Sequence, residues 1–279
     1  MGRLGAHVSV AGGAPKAVAR ANDLACDAFQ IFVKSPNQWR NKPRSEEEAQ
    51  SFRQARDASG MPVIAHSGYL INLASPKEEV LAKSRASLGD ELERCHALGV
   101  PGLVLHPGSA TGRTREEGLD AVARSLDAVF AEHPSVRTKV LLENTAGQGN
   151  TLGLSVDELD RIVQGVAEPD RLEICLDSCH AFVAGYDLRD AGGLDRLLDE
   201  LDAGPGRARL SAWHLNDAQQ GLGSFRDRHA NIGEGELGRA FFARLVHDER
   251  FDDLPMILET PLGDDGEGHA RDLATLRGL

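Results

Sequence analysis

Eight short apolar runs recur along the chain, each followed by a polar loop and then by helical spacing, and the last six end on a metal-competent side chain. The first two are Leu4 to Val10 and Ala28 to Phe32. The others are MPVIAH ending at His66, GLVLH at His106, KVLLE at Glu143, LEICLD at Asp177, RLSAWH at His214 and LPMILE at Glu259. Strands that alternate with helices imply a parallel sheet. Eight such units without a glycine-rich dinucleotide fingerprint favour a (β/α)₈ barrel over a doubly wound sheet. The expected fold is therefore α/β, one TIM barrel over residues 1–279 with its metal site at the C-terminal ends of the strands, where barrels of this kind gather their functional groups.

Helix starts are readable as well. Ser45–Glu48, Ser75–Glu78, Thr114–Glu117 and Ser155–Glu158 have capping-box spacing, and Pro76 suits a first helical position. After Thr114, Leu119, Val122, Ala123, Leu126, Val129 and Phe130 fall on one face; after Ser155, Leu159, Ile162, Val163 and Val166 do the same. The Gly/Pro stretch from Ala203 to Gly206 reads as a helix-to-strand loop.

Composition narrows the function classes. No stretch approaches the ~20 apolar residues of a membrane span. The segment MGRLGAHVSVAGG has too little apolar run for a signal peptide, and Ala6 breaks the myristoylation pattern. Four scattered cysteines do not make a disulfide framework in 279 residues. A cytoplasmic protein is expected. The formal charge of −12 argues against a simple electrostatic binder of nucleic acid, although three divalent ions would bring it to about −6 and concentrate positive charge in the cleft.

The segment RLSAWHLNDAQQGLGSFRDRHANIGEG adds Asp227 and His229 after His214, and an Asp-x-His pair on extended chain can grip one ion. With His180 the candidates number nine: His66, His106, Glu143, Asp177, His180, His214, Asp227, His229 and Glu259. Imidazole and carboxylate suit zinc or manganese, and nine ligands exceed what one ion uses. A three-ion cluster fits the count if a carboxylate such as Glu143 bridges. Any one of these residues alone would more simply be a hydrogen-bonding group. His7 is expected to be supporting or core, Cys179 a small buried residue, and His96, His133, His247 and His269 carry no assignment.

The runs GAHVSVAGG, HSGYLINLASP, HPGS, ENTAGQG, LDSCHAFVAGYDLR, HLNDAQQGLGSFRDRHANIGEG and ILETP resemble those of endonuclease IV, the metal-dependent apurinic/apyrimidinic endonucleases of base-excision repair. They cover nearly the whole chain in order. The resemblance implies three Zn²⁺ per chain, with Mn²⁺ at some sites in certain members. By motif, His66, His106 and bridging Glu143 would hold the first ion; Glu143, Asp177, His214 and Glu259 the second; His180, Asp227 and His229 the third. Glu143 and Glu259 would be catalytic. The implied reaction cleaves the phosphodiester 5′ to an abasic site, leaving a 3′-hydroxyl and a 5′-deoxyribose phosphate, and trims blocked 3′ ends. Zinc supports such hydrolysis by lowering the pKa of bound water towards ~7 and clamping both oxygens of an in-line displacement.

The partner implied is double-stranded DNA, with the protein a monomer and no membrane involved. The loop KSPNQWRNKPR gathers Lys34, Arg40, Lys42 and Arg44 around Trp39, suited to phosphates and base faces, though a solvated loop would read the same way. By resemblance this loop, with Asn37 where some relatives carry an inserting arginine, and the wedge Tyr69–Leu70 enter the minor groove. Loops Ala110 to Arg115 and Gln219 to Arg226 could touch backbone phosphates. The rival reading is a divalent-metal sugar isomerase on the same scaffold, expected to use fewer ligands and a catalytic lysine or histidine; no lysine stands at a strand end here. A non-catalytic DNA-damage binder would not need nine ligands.

Overall fold

Successive side chains of a strand point to opposite faces, and in this molecule that alternation builds the site. The computed structural model describes residues 1–279. Strands β1 (Arg3–His7), β2 (Ala28–Phe32), β3 (Val63–His66), β4 (Gly102–Leu105), β5 (Lys139–Glu143), β6 (Leu172–Asp177) and β7 (Leu210–His214) precede a two-stranded ribbon of β8 (Asp217–Ala218) and β9 (His229–Ala230), and β10 (Pro255–Leu258) follows. All but the ribbon pair in parallel as a closed barrel, in the order β1-β10-β7-β6-β5-β4-β3-β2. Helices α1 (Pro15–Asp23), α2 (Glu46–Ser59), α3 (Glu78–Leu98), α4 (Arg115–Glu132), α5 (Val156–Gly165), α6 (Ser178–Ala184), α7 (Gly193–Ala203), α8 (Arg239–Val246) and α9 (Gly268–Arg277) occupy the connections. No helix is long and apolar enough to cross a membrane.

The outward strand faces and the helices share one large apolar core that includes Phe29, Phe52, Phe130, Phe182 and Trp213. Burial at roughly 25 cal/mol per Å² of apolar surface makes this layer the main source of stability. Along the axis a second, smaller cluster takes one residue from each of seven strands: Ala28, Ile64, Val104, Leu141, Cys175, Ala212 and Ile257. Gly5 of β1 completes that layer, because a Cβ there would lie 1.8 Å from the Ala28 carbonyl oxygen. Two residues further along each strand the same inward face continues as His7, Gln30, His66, His106, Glu143, Asp177, His214 and Glu259. An apolar plug thus supports a polar tier at the C-terminal mouth.

Boundaries differ from expectation in small ways. The first strand stops at His7, and β4 and β10 end one residue before His106 and Glu259. Thr114 and Glu117 form a full capping box. Ser45 and Ser155 cap their helices from one side only, since Glu48 turns to Ala14 and Arg44, and Glu158 to Gly153, Leu154 and Arg115. Ser75 does not cap α3. Its hydroxyl accepts from the Lys77 amide in a tight turn, so the helix starts at Glu78 and Pro76 lies outside it.

Candidate metal centre

The polar tier closes into one cluster, joined from the side by His180 on α6, Asp227 in the loop between β8 and β9, and His229 on β9. Ligand atoms fall within 4.8 Å of one another in the groups His66–His106–Glu143, Glu143–Asp177–His214–Glu259 and His180–Asp227–His229. Glu143 belongs to two groups. Its Oε2 lies 2.9 Å from His106 Nε2 and 3.3 Å from His66 Nε2, while its Oε1 lies 2.9 Å from His214 Nδ1 and 3.3 Å from His180 Nδ1. Asp177, Cys179 and His229 form a fourth group of suitable spacing. Cys179 does not suit a ligand role: its Sγ faces the Arg228 carbonyl at 3.7 Å, and burial pushes the thiol well up, away from the thiolate a metal requires. The structure brings together all nine residues singled out in the sequence.

Hydrogen bonds fix which nitrogen each ring offers. A carbonyl oxygen only accepts, so a ring nitrogen beside one carries the proton and leaves the other bare. His66 Nδ1 donates to the Ser67 carbonyl at 2.8 Å, His180 Nδ1 to that of Asn144 at 2.9 Å, and His229 Nδ1 to that of Glu259 at 3.2 Å. Their Nε2 atoms therefore face the cluster. His180 Nε2 and His229 Nε2 are buried without any hydrogen-bond partner, although Asp227 oxygens lie 3.2 and 3.3 Å away. Such atoms converge on a common point rather than on each other, which is the arrangement of ligands around a shared cation. This donor set of nitrogen and carboxylate oxygen fits zinc or manganese.

Electrostatics point the same way. Burial acts to raise the Glu143 carboxyl, yet His106 and His214 hold it well below the usual carboxylate range. Burial likewise opposes Glu259, where the charges of His214 and His66 prevail and keep it ionised. Asp227 is held down against burial by His180 and His229. Burial would lower His180, but Asp177, Asp227 and Glu143 push it well above an ordinary imidazole. His7, by contrast, is lowered by burial, as a neutral supporting histidine should be.

The rim holds the rest. A cavity of about 380 Å³ opens above the cluster, walled in part by Phe32, Tyr69 and Leu262. Tyr69, Leu70, Leu222, Phe225 and Leu262 are the exposed large apolar side chains apart from Met1, and each follows the C-terminal end of a barrel strand. A second cleft of about 700 Å³ lies in the loop after β2, lined by Arg40, Lys42, Arg44 and Arg94. Asn37 and Arg40 are exposed there, Arg226 is exposed on the loop between β8 and β9, and Trp39 is half-buried. Lys34 departs from its expected part as a phosphate contact. It is buried, with Nζ 2.7 Å from Ser87 Oγ and 3.3 Å from Glu91 Oε1, so its charge is spent inside the wall. Arg115 is similarly paired with Glu158.

Three residues of the site escaped the sequence reading. Asn144 exchanges hydrogen bonds with the Asp177 backbone, 2.6 Å from its amide and 3.2 Å from its carbonyl. Asn216 donates to Asp177 Oδ2 at 2.6 Å and accepts from the Glu259 amide at 3.0 Å. Gln30 contacts Glu259, His214 and His7. Period-two counting up from the apolar plug would have found Gln30; the two asparagines lie just past strand ends and carry no such signal.

Comparison with known proteins gives a consistent picture. The family described as xylose isomerase-like TIM barrel matches residues 18–279. Probable endonuclease 4 of Chloroflexus aurantiacus is 48% identical over 280 residues, covering 100% of this chain and 98% of that one. Probable endonuclease 4 of Trichlorobacter lovleyi is 46% identical, covering 99% of each. The crystal structure of endonuclease IV from Thermus thermophilus superposes with a TM-score of 0.86 at 40% identity, covering 99% of this chain and 98% of that one. A D-tagatose 3-epimerase-like protein shares the fold alone, with a TM-score of 0.71 at 18% identity.

Proposed function

The chain belongs to the endonuclease IV family of xylose isomerase-like TIM barrels, and from that premise we propose that it cleaves DNA at abasic sites. It hydrolyses the phosphodiester on the 5′ side, leaving a 3′-hydroxyl and a 5′-deoxyribose phosphate, and it trims blocked 3′ ends. The observation that carries this reading is the convergence of nine ligand-type side chains in three adjoining groups, two of which share Glu143, with six of the nine lining one cavity. A sugar-isomerase reading rests on the description of the family model and on distant likeness of fold, against close relatives named endonuclease 4.

Three divalent ions, zinc or in part manganese, would be held by His66, His106 and Glu143; by Glu143, Asp177, His214 and Glu259; and by His180, Asp227 and His229, whose ligand atoms lie close enough together within each group. Bound there, such ions supply a water with its pKa lowered towards ~7 and neutralise charge on the phosphate. The protein's own part is orientation. Glu143 bridges the two halves of the cluster from the floor, where full burial keeps its carboxylate in one place. Glu259 lines the cavity and lies within reach of a substrate seated above the cluster.

Substrate recognition falls to the rim. Tyr69 and Leu70, 65% and 37% exposed, act as wedges that fill the space of a missing base and hold the abasic nucleotide out of the stack. Arg40, with Asn37 and Trp39 in the same loop, and Arg226 across the mouth serve the flanking backbone. The test is to incubate the purified protein with a duplex carrying one abasic site, with and without a chelator. Expected are chelator-sensitive incision and a product that a polymerase extends. A metal-saturated sample that leaves this duplex uncut would overturn the reading.

A further inference from the structure

One member of the polar tier is neither an acid nor an imidazole. Gln30 is fully buried, and its amide nitrogen donates to Glu259 Oε1 at 2.6 Å and to His7 Nδ1 at 3.0 Å. Its amide oxygen lies 2.9 Å from His214 Nε2. The identity of each end follows from its partner. A carboxylate only accepts, so the end facing Glu259 is the NH₂ and the end facing His214 is the oxygen. That oxygen in turn only accepts, so His214 carries its proton on Nε2. Its bare Nδ1 is then turned to the cluster, 2.9 Å from Glu143, 3.4 Å from Glu259 Oε2 and 3.9 Å from Asp177.

His66, His180 and His229 have their tautomers set by main-chain carbonyls, which no substitution removes. His214 depends on a side chain. We propose that Gln30 is a positioning residue of the metal centre, one amide that holds Glu259 by one oxygen and fixes the tautomer of His214, so that two ligands of the same group are set together. This inference rests on the metal-centre reading above. Only an amide does both jobs at this place. Glutamate would set a second carboxylate against Glu259, and an apolar residue would leave His214 Nε2 without a partner and free to surrender its proton to Nδ1. A neighbour that orients a ligand is typically worth about 10–100-fold in metal affinity.

The experiment uses the zinc-loaded full chain and its Gln30→Met and Gln30→Glu variants, both close in volume to the original. Zinc retained per chain is measured against graded chelator, and the imidazole N–H signals are followed by NMR with ¹⁵N-labelled histidine. Expected in both variants is about 10–100-fold weaker retention of one ion with the others unchanged. In Gln30→Met the slowly exchanging Nε2–H signal expected of His214 in the parent protein should also be lost. Unaltered zinc retention in both variants would overturn the proposal whatever the histidine spectrum shows. If Gln30→Met does not fold, Gln30→Glu carries the retention test alone, and parent-like retention there overturns it. A parent protein that takes up no zinc would instead overturn the metal-centre reading and this inference with it. Parent-like retention in variants of a zinc-loaded parent removes only the role of Gln30.

Discussion

Lys34 and Glu91 face each other at 3.3 Å inside the wall of the barrel, each side chain 1% exposed. The other oxygen of Glu91 accepts from the Gly68 amide at 3.0 Å, and the adjoining Tyr69 amide donates to the Pro36 carbonyl at 3.0 Å. The pair therefore lies under both loops assigned to the DNA groove. Lys34→Met should destabilise the fold by about 3–5 kcal/mol, because a buried carboxylate loses its partner. Denaturant unfolding measures this. The loss should also depend on pH. Burial raises the Glu91 carboxyl above its ordinary 4.5, and losing Lys34 raises it further. A carboxyl raised in the folded state is least costly when protonated, below the unfolded value, and costs more as pH rises through the folded value. The deficit of the variant should thus be larger at pH 7 than near pH 4.5.

Glu259→Gln should keep the fold and DNA binding while slowing cleavage by more than the about 10–100-fold typical of removing a mere supporting partner of a ligand. Single-turnover cleavage of an abasic duplex, with binding measured separately, reads both. Near-normal turnover would take Glu259 out of the mechanism.

Tyr69→Ala removes a ring that is 65% exposed, so stability should change by no more than about 0.5 kcal/mol. Preference for abasic over intact duplex should fall by about 5- to 150-fold, matching the ~1–3 kcal/mol of an aromatic contact to a base. Competition binding with the two duplexes decides this. Unchanged preference would reduce Tyr69 to packing.

Cys179→Ala should retain the zinc content and the cleavage rate of the parent. All four cysteines are buried, and burial pushes Cys26 and Cys175 up to about 11. Below that value the thiols stay protonated and unreactive. Iodoacetamide at pH 8 should leave the native protein unmodified and label four sites after unfolding. Loss of zinc in Cys179→Ala would reinstate the group of Asp177, Cys179 and His229 as a binding site.

Much of this was legible because strand period and ligand chemistry coincide. Once KVLLE or RLSAWH is read as a strand, its last residue faces the axis whenever the residue two before it is buried there, as Leu141 and Ala212 are. Gln30 obeys the same rule but is not a ligand type, so a search for His, Asp and Glu passes over it. Lys34 was misread for the opposite reason. A lysine in a basic loop looks solvated, and only the tertiary approach of Ser87 and Glu91 from α3 shows that it is not. Ser75 has capping-box spacing, but its hydroxyl closes a turn two residues early.

The ribbon of β8 and β9 has a consequence for how the centre fills and empties. Asp217 ties down its base by accepting from the amides of Gly233, Gly235 and Leu237 at 2.9 to 3.1 Å. Asp227 rides at the far end of the loop, 40% exposed and steadied through its amide by Gln148. Four of the proposed ligands stand on the staves of the barrel and His106 and Glu259 directly after them, whereas Asp227 stands on a loop, where local opening costs less than unfolding the barrel. On the proposed allocation, a cation beside His180 and His229 would be the first to leave, so scarcity of metal would silence the enzyme by emptying one berth while its frame stays intact.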